Sequence, residues 1–375
     1  MTNKKEIQVA AVNKILTVVI PTYNMEKYLR RCLDSLIVSD QQMQMLEVLV
    51  INDGSKDTSS QIAHEYQDRY PQTFRVIDKE NGNYGSCVNR GLDEATGKYI
   101  KVLDADDWFD NANFRTYLDT VKDLDVDLVL NDMVYYREGK GVYSISHFRL
   151  PKQKGFYFFD YRQFPRMHNI AYKRNKVRAL KYHQTEGISY TDGQWTFLPM
   201  SMVEKAFYLP LSIYVYLVGR EGQTTTPEMR KKCINQQNLM LKDELIMFST
   251  RSFTKDATSW LKARLVGQIG VPYRDALIEF KDYANRSLQE FDILLKSDYP
   301  DIYKETGENL TLSRFFPYKF VKEWRATGKI NTFSIQYLMF KLYQAVKPIA
   351  KQLILSVSNP LKHNQLTTNG GGITH

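Results

Sequence analysis

Three carboxylates crowd into four residues, Asp104, Asp106 and Asp107, within the stretch Tyr99 to Asp110 (YIKVLDADDWFD). The run ahead of them, Tyr99-Ile100-Lys101-Val102-Leu103, has the apolar, β-branched content of a buried strand. In open α/β sheets a strand end faces the crevice where ligands bind. Asp104 and Asp106 are two apart, so an extended backbone turns both to one side. Like charges held this close need a cation or hydrogen-bond donors to neutralise them. A hard divalent cation with oxygen ligands meets that need, and such ions often bridge to substrate phosphates. The competing reading is a solvated acidic turn.

The elements that position this cluster read out in order. Ile15 to Ile20 is a continuous apolar run, as expected of a strand buried on both faces. Pro21-Thr22-Tyr23-Asn24 breaks it, and Met25 to Leu36 has helical spacing. Leu46 to Ile51 is a second strand, ending in Asn52-Asp53-Gly54-Ser55-Lys56-Asp57. A helix over Ile62 to Tyr70, a strand over Phe74 to Ile77, a glycine-containing loop over Asn81 to Gly85 and a helix over Cys87 to Ala95 lead to the Asp104 strand. Strands alternating with helices predict right-handed crossovers and a doubly wound, mostly parallel sheet. No GxGxxG follows the first strand, which disfavours dinucleotide-binding and P-loop enzymes.

At 375 residues, with 43% hydrophobic and 25% charged content, the chain is globular in composition. Its 25 Tyr and 19 Phe suit a large core, sugar-stacking surfaces or membrane-interface contacts. Cys32, Cys87 and Cys233 have no CxxC spacing, so neither a zinc site nor a disulfide framework is expected. No apolar run is long enough for a transmembrane helix, and the N-terminus lacks the apolar core of a signal peptide. The net charge of +9 is concentrated. Between Arg314 and Lys362, nine basic residues face Glu323 alone, a local charge of +8. A near-neutral remainder argues against a nucleic-acid partner.

Val19-Ile20-Pro21-Thr22-Tyr23-Asn24, Asn52-Asp53-Gly54-Ser55-x-Asp57, Asn81-Gly82-Asn83-x-Gly85 with Asn89-Arg90-Gly91, and Leu103-Asp104-Ala105-Asp106-Asp107 follow one another at close spacing. As a set, over Ile15 to Val134, they resemble the inverting, nucleotide-sugar-dependent glycosyltransferases of family 2. That resemblance implies an α/β GT-A fold in which Pro21, Tyr23 and Asn24 line the nucleotide pocket. It implies that Asp53 accepts hydrogen bonds from the base, although Asp53 also suits an Asx turn. Gly82, with Asn83 and Gly85 in the same motif, would give close backbone approach or positive φ. Asp104, beside Ala105, would meet the ribose or the metal. Asp106 would ligate Mn2+ or Mg2+ under the diphosphate, neutralising charge on the leaving group. Asp107 is expected to support the loop.

Gly139 to Pro165 reads as hairpin-like strands, the part of such a fold where acceptor specificity resides. His168 is placed to touch the donor sugar or the acceptor, or to serve as a structural hydrogen-bonding residue. In Ile188-Ser189-Tyr190-Thr191-Asp192-Gly193-Gln194-Trp195, Tyr190 and Thr191 end a short expected strand. The family's catalytic base sits there in a Glu-Asp pair. Thr191 replaces the first acid, so the role carries over to Asp192 alone. A sugar hydroxyl needs such a base, and the competing reading is a helix N-cap. The Tyr-x-Tyr strand before Gly219-Arg220 resembles the segment that closes over the diphosphate, and the Arg220 fork suits phosphate.

The expected organisation is a catalytic domain over 1–226, with a nucleotide-binding half at 15–134 and an acceptor half at 135–226. A helical region over 227–363 and a disordered tail over 364–375 follow. Ile335, Leu338, Met339, Leu342, Val346, Ile349 and Leu353 form an apolar stripe in a basic helix, which suits an in-plane membrane helix or a helix docked on the core. Pro348 is expected to kink it. The sequence therefore predicts a metal-dependent transferase with a UDP-sugar donor and a glycan or lipid-linked acceptor, held at the cytoplasmic membrane face. The rivals are a sugar nucleotidyltransferase and a catalytically silent membrane-bound scaffold.

Overall fold

The computed structural model describes residues 14–146, 155–158, 164–220, 223, 226–280, 286–313 and 315–357. Contacts divide it into two compact units, Met1–Phe291 and Asp292–His375.

The first unit is built on a ten-stranded sheet. Strands β1 (Leu16–Thr22), β2 (Leu46–Asn52), β3 (Phe74–Asp78) and β4 (Tyr99–Val102) pair in the order β3-β2-β1-β4, all parallel. Each residue of β1, β2 and β4 is buried, so the strands read as mostly apolar runs, with Glu47 and Lys101 as buried charged exceptions. The sheet grows outwards from β1 on both sides, which makes the carboxyl ends of β1 and β4 a topological switch point. Beyond β4 the sheet is mixed. After β5 (Trp108–Phe109), β6 (Leu128–Arg137) turns back as a hairpin into β7 (Gly141–Ser146), with Gly139 and Gly141 at φ 74° and 69°. The short β8 (Gly155–Phe158) pairs antiparallel with the long β10 (Lys205–Leu217). Strand β9 (Ile170–Lys173) runs antiparallel between β4 and β6, and β10 runs parallel to β6.

Helices α1 (Leu29–Asp34), α2 (Asp40–Met45), α3 (Ser59–Arg69), α4 (Asn83–Glu94) and α5 (Asn111–Val121) punctuate this half. Two depart from expectation. The polar run DQQMQM of α2 has no apolar stripe, and it forms because Met43 docks on the core while Gln42 Nε2 donates to the Arg115 carbonyl at 3.0 Å. Helix α4 starts at Asn83, so the second half of the expected glycine loop is its first turn. Asn83 takes the left-handed conformation at φ 65°, and Gly82, at φ −129°, does not.

Then come α6 (Arg174–Ala179), α7 (Asp192–Trp195), α8 (Pro227–Lys232), α9 (Ile234–Ser249) and α10 (Lys255–Arg274), the last running into a π-helical turn over Asp275–Glu279. The expected strand over Tyr190 and Thr191 is a loop, and α7 is a single turn that begins at Asp192. Helix α11 (Arg286–Asp298) spans the boundary between the units. The second unit also holds α12 (Pro300–Asn309), α13 (Phe320–Thr327) and α14 (Ile335–Val357), which continues through Pro348. Among the described residues no helix is long and apolar enough to cross a membrane. The expected disordered tail over 364–375 lies outside the described residues.

Candidate active site

A cavity of about 610 Å3 opens at the switch point. The end of β1 contributes Pro21, Tyr23 and Asn24, and the end of β2 contributes Asp53. Asn83, Tyr84 and Cys87 come from α4, and Asp104, Ala105 and Asp106 from the loop after β4. His168, Ser189, Tyr190 and Asp192 join from the second half, with Tyr216 and Arg220 from the end of β10. Gly82 is the one expected site residue that does not line the cavity. Its N–H donates to Asp53 Oδ1 at 2.9 Å, so it shapes the wall from behind.

Local hydrogen bonds hold the wall built from the ends of β1 and β2. Tyr23 is 45% exposed at the end of β1, which leaves a flat aromatic face open. Asn24 adopts φ 53°, and its Oδ1 accepts from Lys56 N at 2.8 Å, tying the loop after β1 to the loop after β2. Asp53 is buried and its Oδ1 accepts from Lys79 Nζ at 2.7 Å. At Gly85, in α4, a Cβ would overlap the Thr185 carbonyl oxygen. Glycine there lets the segment leading to Asp192 press against α4.

The acidic cluster is pinned from several elements. Asp104 Oδ1 accepts from Tyr84 Oη at 2.8 Å. Asp107 is buried and accepts from Tyr214 Oη and from the Leu217 N–H, both at 2.7 Å. Those bonds tie the loop after β4 to β10. Asp106 is paired with the Arg220 guanidinium. Burial pushes the Asp106 and Asp107 carboxyls up, and the charges of their acidic neighbours push them further, while Arg220 opposes this at Asp106.

His168 is brought to the cluster by the turn Met167–Asn169 ahead of β9. Its Nε2 lies 3.5 Å from Asp104 Oδ2, and the rings of Tyr214 and Tyr216 meet it edge-on at 4.7 and 5.1 Å. Neither ring nitrogen has a hydrogen-bond partner. Asp104, Asp107 and His168 offer ligand atoms within 4.8 Å of one another. An orphaned imidazole nitrogen facing crowded carboxylates fits a divalent cation. Beneath the turn lies Lys101, fully buried in β4, with Nζ at 3.0, 2.8 and 3.1 Å from Asn131 Oδ1, His168 O and Ile170 O. Burial pulls its pKa down to about 7, while three acceptors matched to three ammonium N–H groups hold the proton.

Asp192 heads α7, whose N-cap is Thr191, and Thr191 makes no side-chain cap bond. Asp192 is therefore not the N-cap. Asp192 is itself exposed where its carboxylate opens onto the cavity, and partial desolvation by the cavity walls raises its carboxyl to about 6, with Asp104's charge adding to this and His168 opposing it. A carboxylate so poised is ionised at neutral pH and still a competent proton acceptor.

Tyr84, Tyr190 and Tyr216 line the cavity and Lys101 supports it from beneath, and sequence reasoning gave none of them a role there. Tyr84 lies inside the Asn81–Gly85 motif and Tyr216 inside the Tyr-x-Tyr strand, so both carried a signal. Lys101 read as one polar residue in a strand.

The strand order, the switch-point cavity and the flanking helices define a GT-A-type fold. The crystal structure of Staphylococcus aureus TarS 1–349 in complex with UDP-GlcNAc has a similar fold, with a TM-score of 0.59 and 19% identity over 86% of this chain and 94% of that one. Residues 17–196, a little under half of the chain, match the model of glycosyl transferase family 2. Glycosyltransferase GlyA of Streptococcus pneumoniae is 27% identical over 222 residues, which is 56% of this chain and 31% of that protein. The chain thus matches less than a third of GlyA's length. The uncharacterised glycosyltransferase MG025 of Mycoplasma genitalium is 28% identical over 228 residues, 56% of this chain and 70% of that protein.

Proposed function

We propose that the protein is a metal-dependent, inverting glycosyltransferase that moves a sugar from a nucleotide diphosphate sugar, a UDP-sugar, to a hydroxyl acceptor. One observation carries this reading: the carboxylate of Asp192 lines the same cavity as those of Asp104 and Asp106. Tyr23, Asn24 and Asp53 hold the nucleoside. Asp104 would hold Mn2+ or Mg2+, with Asp106, or with Asp107 and His168, completing the ligand set, and a bound ion would supply charge neutralisation at the diphosphate. Arg220, now on Asp106, turns its fork to the phosphates when the donor arrives.

Asp192 takes the proton of the acceptor hydroxyl. The oxygen forms its bond to the anomeric carbon as the bond to the diphosphate breaks, and the nucleoside diphosphate leaves with that electron pair. A single displacement of this kind inverts the anomeric centre.

The acceptor is a glycan or lipid-linked hydroxyl at the cytoplasmic membrane face, in cell-surface polysaccharide or glycolipid synthesis. Support comes from the second unit, where Phe333 is 87% exposed and Ile335, Leu338, Met339, Leu342 and Val346 are exposed along α13–α14 and its linker. Among the described side chains of this helix, Tyr337 and Phe340 are buried. An exposed apolar stripe in a basic arm suits an anionic bilayer surface. Ile349 and Leu353, the rest of the expected stripe, lie where no side chains are described.

The test is a panel of nucleotide sugars with and without Mn2+, read by thermal shift and by nucleoside diphosphate release. Stabilisation and metal-dependent release by at least one UDP-sugar is expected. Nucleotide exchange from a sugar phosphate, or no turnover of any donor, overturns the reading.

A further inference from the structure

A second pocket, of about 170 Å3, adjoins the first and shares Tyr190 and Asp192 with it. Gly193 of α7 also lines it, and the remainder comes from helices downstream of the strands that build the donor site: Gln237, Met240 and Leu241 from α9, and Gln268 and Val271 from α10. Asp192 therefore borders two cavities at once.

Two amide oxygens in this pocket, Gln237 Oε1 and Gln268 Oε1, are buried without a hydrogen-bond partner. Gln237 is only 7% exposed. Buried acceptors are costly to leave unpaired, and proteins keep few of them. Gln268 is held in place, because its Nε2 donates to Glu244 Oε1 at 2.8 Å and Glu244 is itself fully buried. Gly193 leaves room for this amide, since a Cβ there would overlap Gln268 Nε2. Met240, Leu241 and Val271 supply apolar surface, and among the described residues no Lys, Arg or His lines the pocket.

We propose that this pocket is the subsite for the reacting unit of the acceptor, a single neutral sugar ring or short polyol. Its hydroxyls donate to Gln237 Oε1 and Gln268 Oε1, and its C–H face packs on Met240, Leu241 and Val271. One hydroxyl faces Asp192. The size admits one ring, the unpaired oxygens call for O–H donors, and the lack of cations disfavours a phosphate or carboxylate at this point. Acceptor choice is thus written into α9 and α10 as well as into the hairpin region where the sequence placed it. This inference rests on the assignment of Asp192 as the base.

The probes are methyl α- and β-glucoside, methyl α- and β-galactoside, methyl N-acetylglucosaminide and glycerol, titrated by ligand-observed NMR into the full chain with UDP present. Gln237→Leu and Gln268→Leu remove the oxygens. Val271 is 43% exposed, so Val271→Trp fills the mouth without touching the core. At least one probe is expected to bind the wild type, and each variant should weaken it tenfold or more while UDP affinity stays within twofold. Binding of no probe, or equal binding to wild type and to a folded Val271→Trp variant, overturns the proposal. Failure of the donor reading is separable: it shows as absence of UDP-sugar turnover in the wild type, whatever the saccharide titrations give.

Discussion

The Nε2 atom of His168 stands 3.5 Å from Oδ2 of Asp104, joining a residue of the β9 turn to the acidic loop after β4. With Tyr84 Oη on the other oxygen of Asp104 at 2.8 Å, the carboxylate is oriented from both sides. Mn2+ binding, followed by electron paramagnetic resonance with UDP present, should be lost in Asp104→Asn. Tyr84→Phe removes an outer hydrogen bond and should weaken the ion by about 10–100-fold. Unchanged Mn2+ affinity in Asp104→Asn would remove this residue from the metal site.

As the proposed base, Asp192 would act only when ionised. Its carboxyl is raised to about 6, so turnover should climb as pH rises through 6 and level off above it. Asp192→Asn should lower turnover by about 10²–10⁴-fold and abolish that limb, with little change in UDP affinity. A variant that keeps the rise near pH 6 would assign it to another group.

Arg220 carries charge and fork geometry together. Arg220→Lys keeps the charge and loses the fork, and charge-assisted bonds contribute about 1.5–3 kcal/mol. Donor KM should therefore rise by about tenfold or more, because each 1.4 kcal/mol is one decade. Donor KM at the wild-type value would confine Arg220 to neutralising Asp106.

Lys101 touches neither cavity, yet it holds the carbonyls of His168 and Ile170. Lys101→Met strips three buried acceptors of their donor, at about 1–3 kcal/mol for each one left unsatisfied. Chemical denaturation should report that loss. Mn2+ affinity should fall with it, since the turn carrying His168 loses its anchor, and a stability loss with normal Mn2+ affinity would make Lys101 purely structural.

The exposed face of α14 gives a prediction independent of the active site. Leu338→Asp with Leu342→Asp should release the protein from anionic vesicles in a sedimentation assay, while UDP-sugar turnover in solution is retained. Wild-type attachment should weaken as salt rises. Equal pelleting of variant and wild type would exclude this face from membrane contact.

Much of this site is visible in the chain alone because its parts are local. Asp104, Asp106 and Asp107 are neighbours, the apolar runs before Pro21, Asn52 and Asp104 mark strands buried on both faces, and their alternation with helices dictates a crevice at their carboxyl ends. Asp192 was legible as a lone acid in a recognisable setting, though its strand was not, because a loop and a strand end share the same short polar pattern. What the tertiary structure alone decided is pairing. No spacing in the sequence links His168 to Asp104, Arg220 to Asp106, or Lys101 to the turn above it. The antiparallel insertion of β9 between β4 and β6, and the return of β10, create those contacts. The same holds for Gln237 and Gln268, two among many polar residues of their helices, whose unpaired oxygens acquire meaning only where α9 and α10 meet Asp192. Periodicity reports which face of an element is buried, but the partner it is buried against is set by long-range packing.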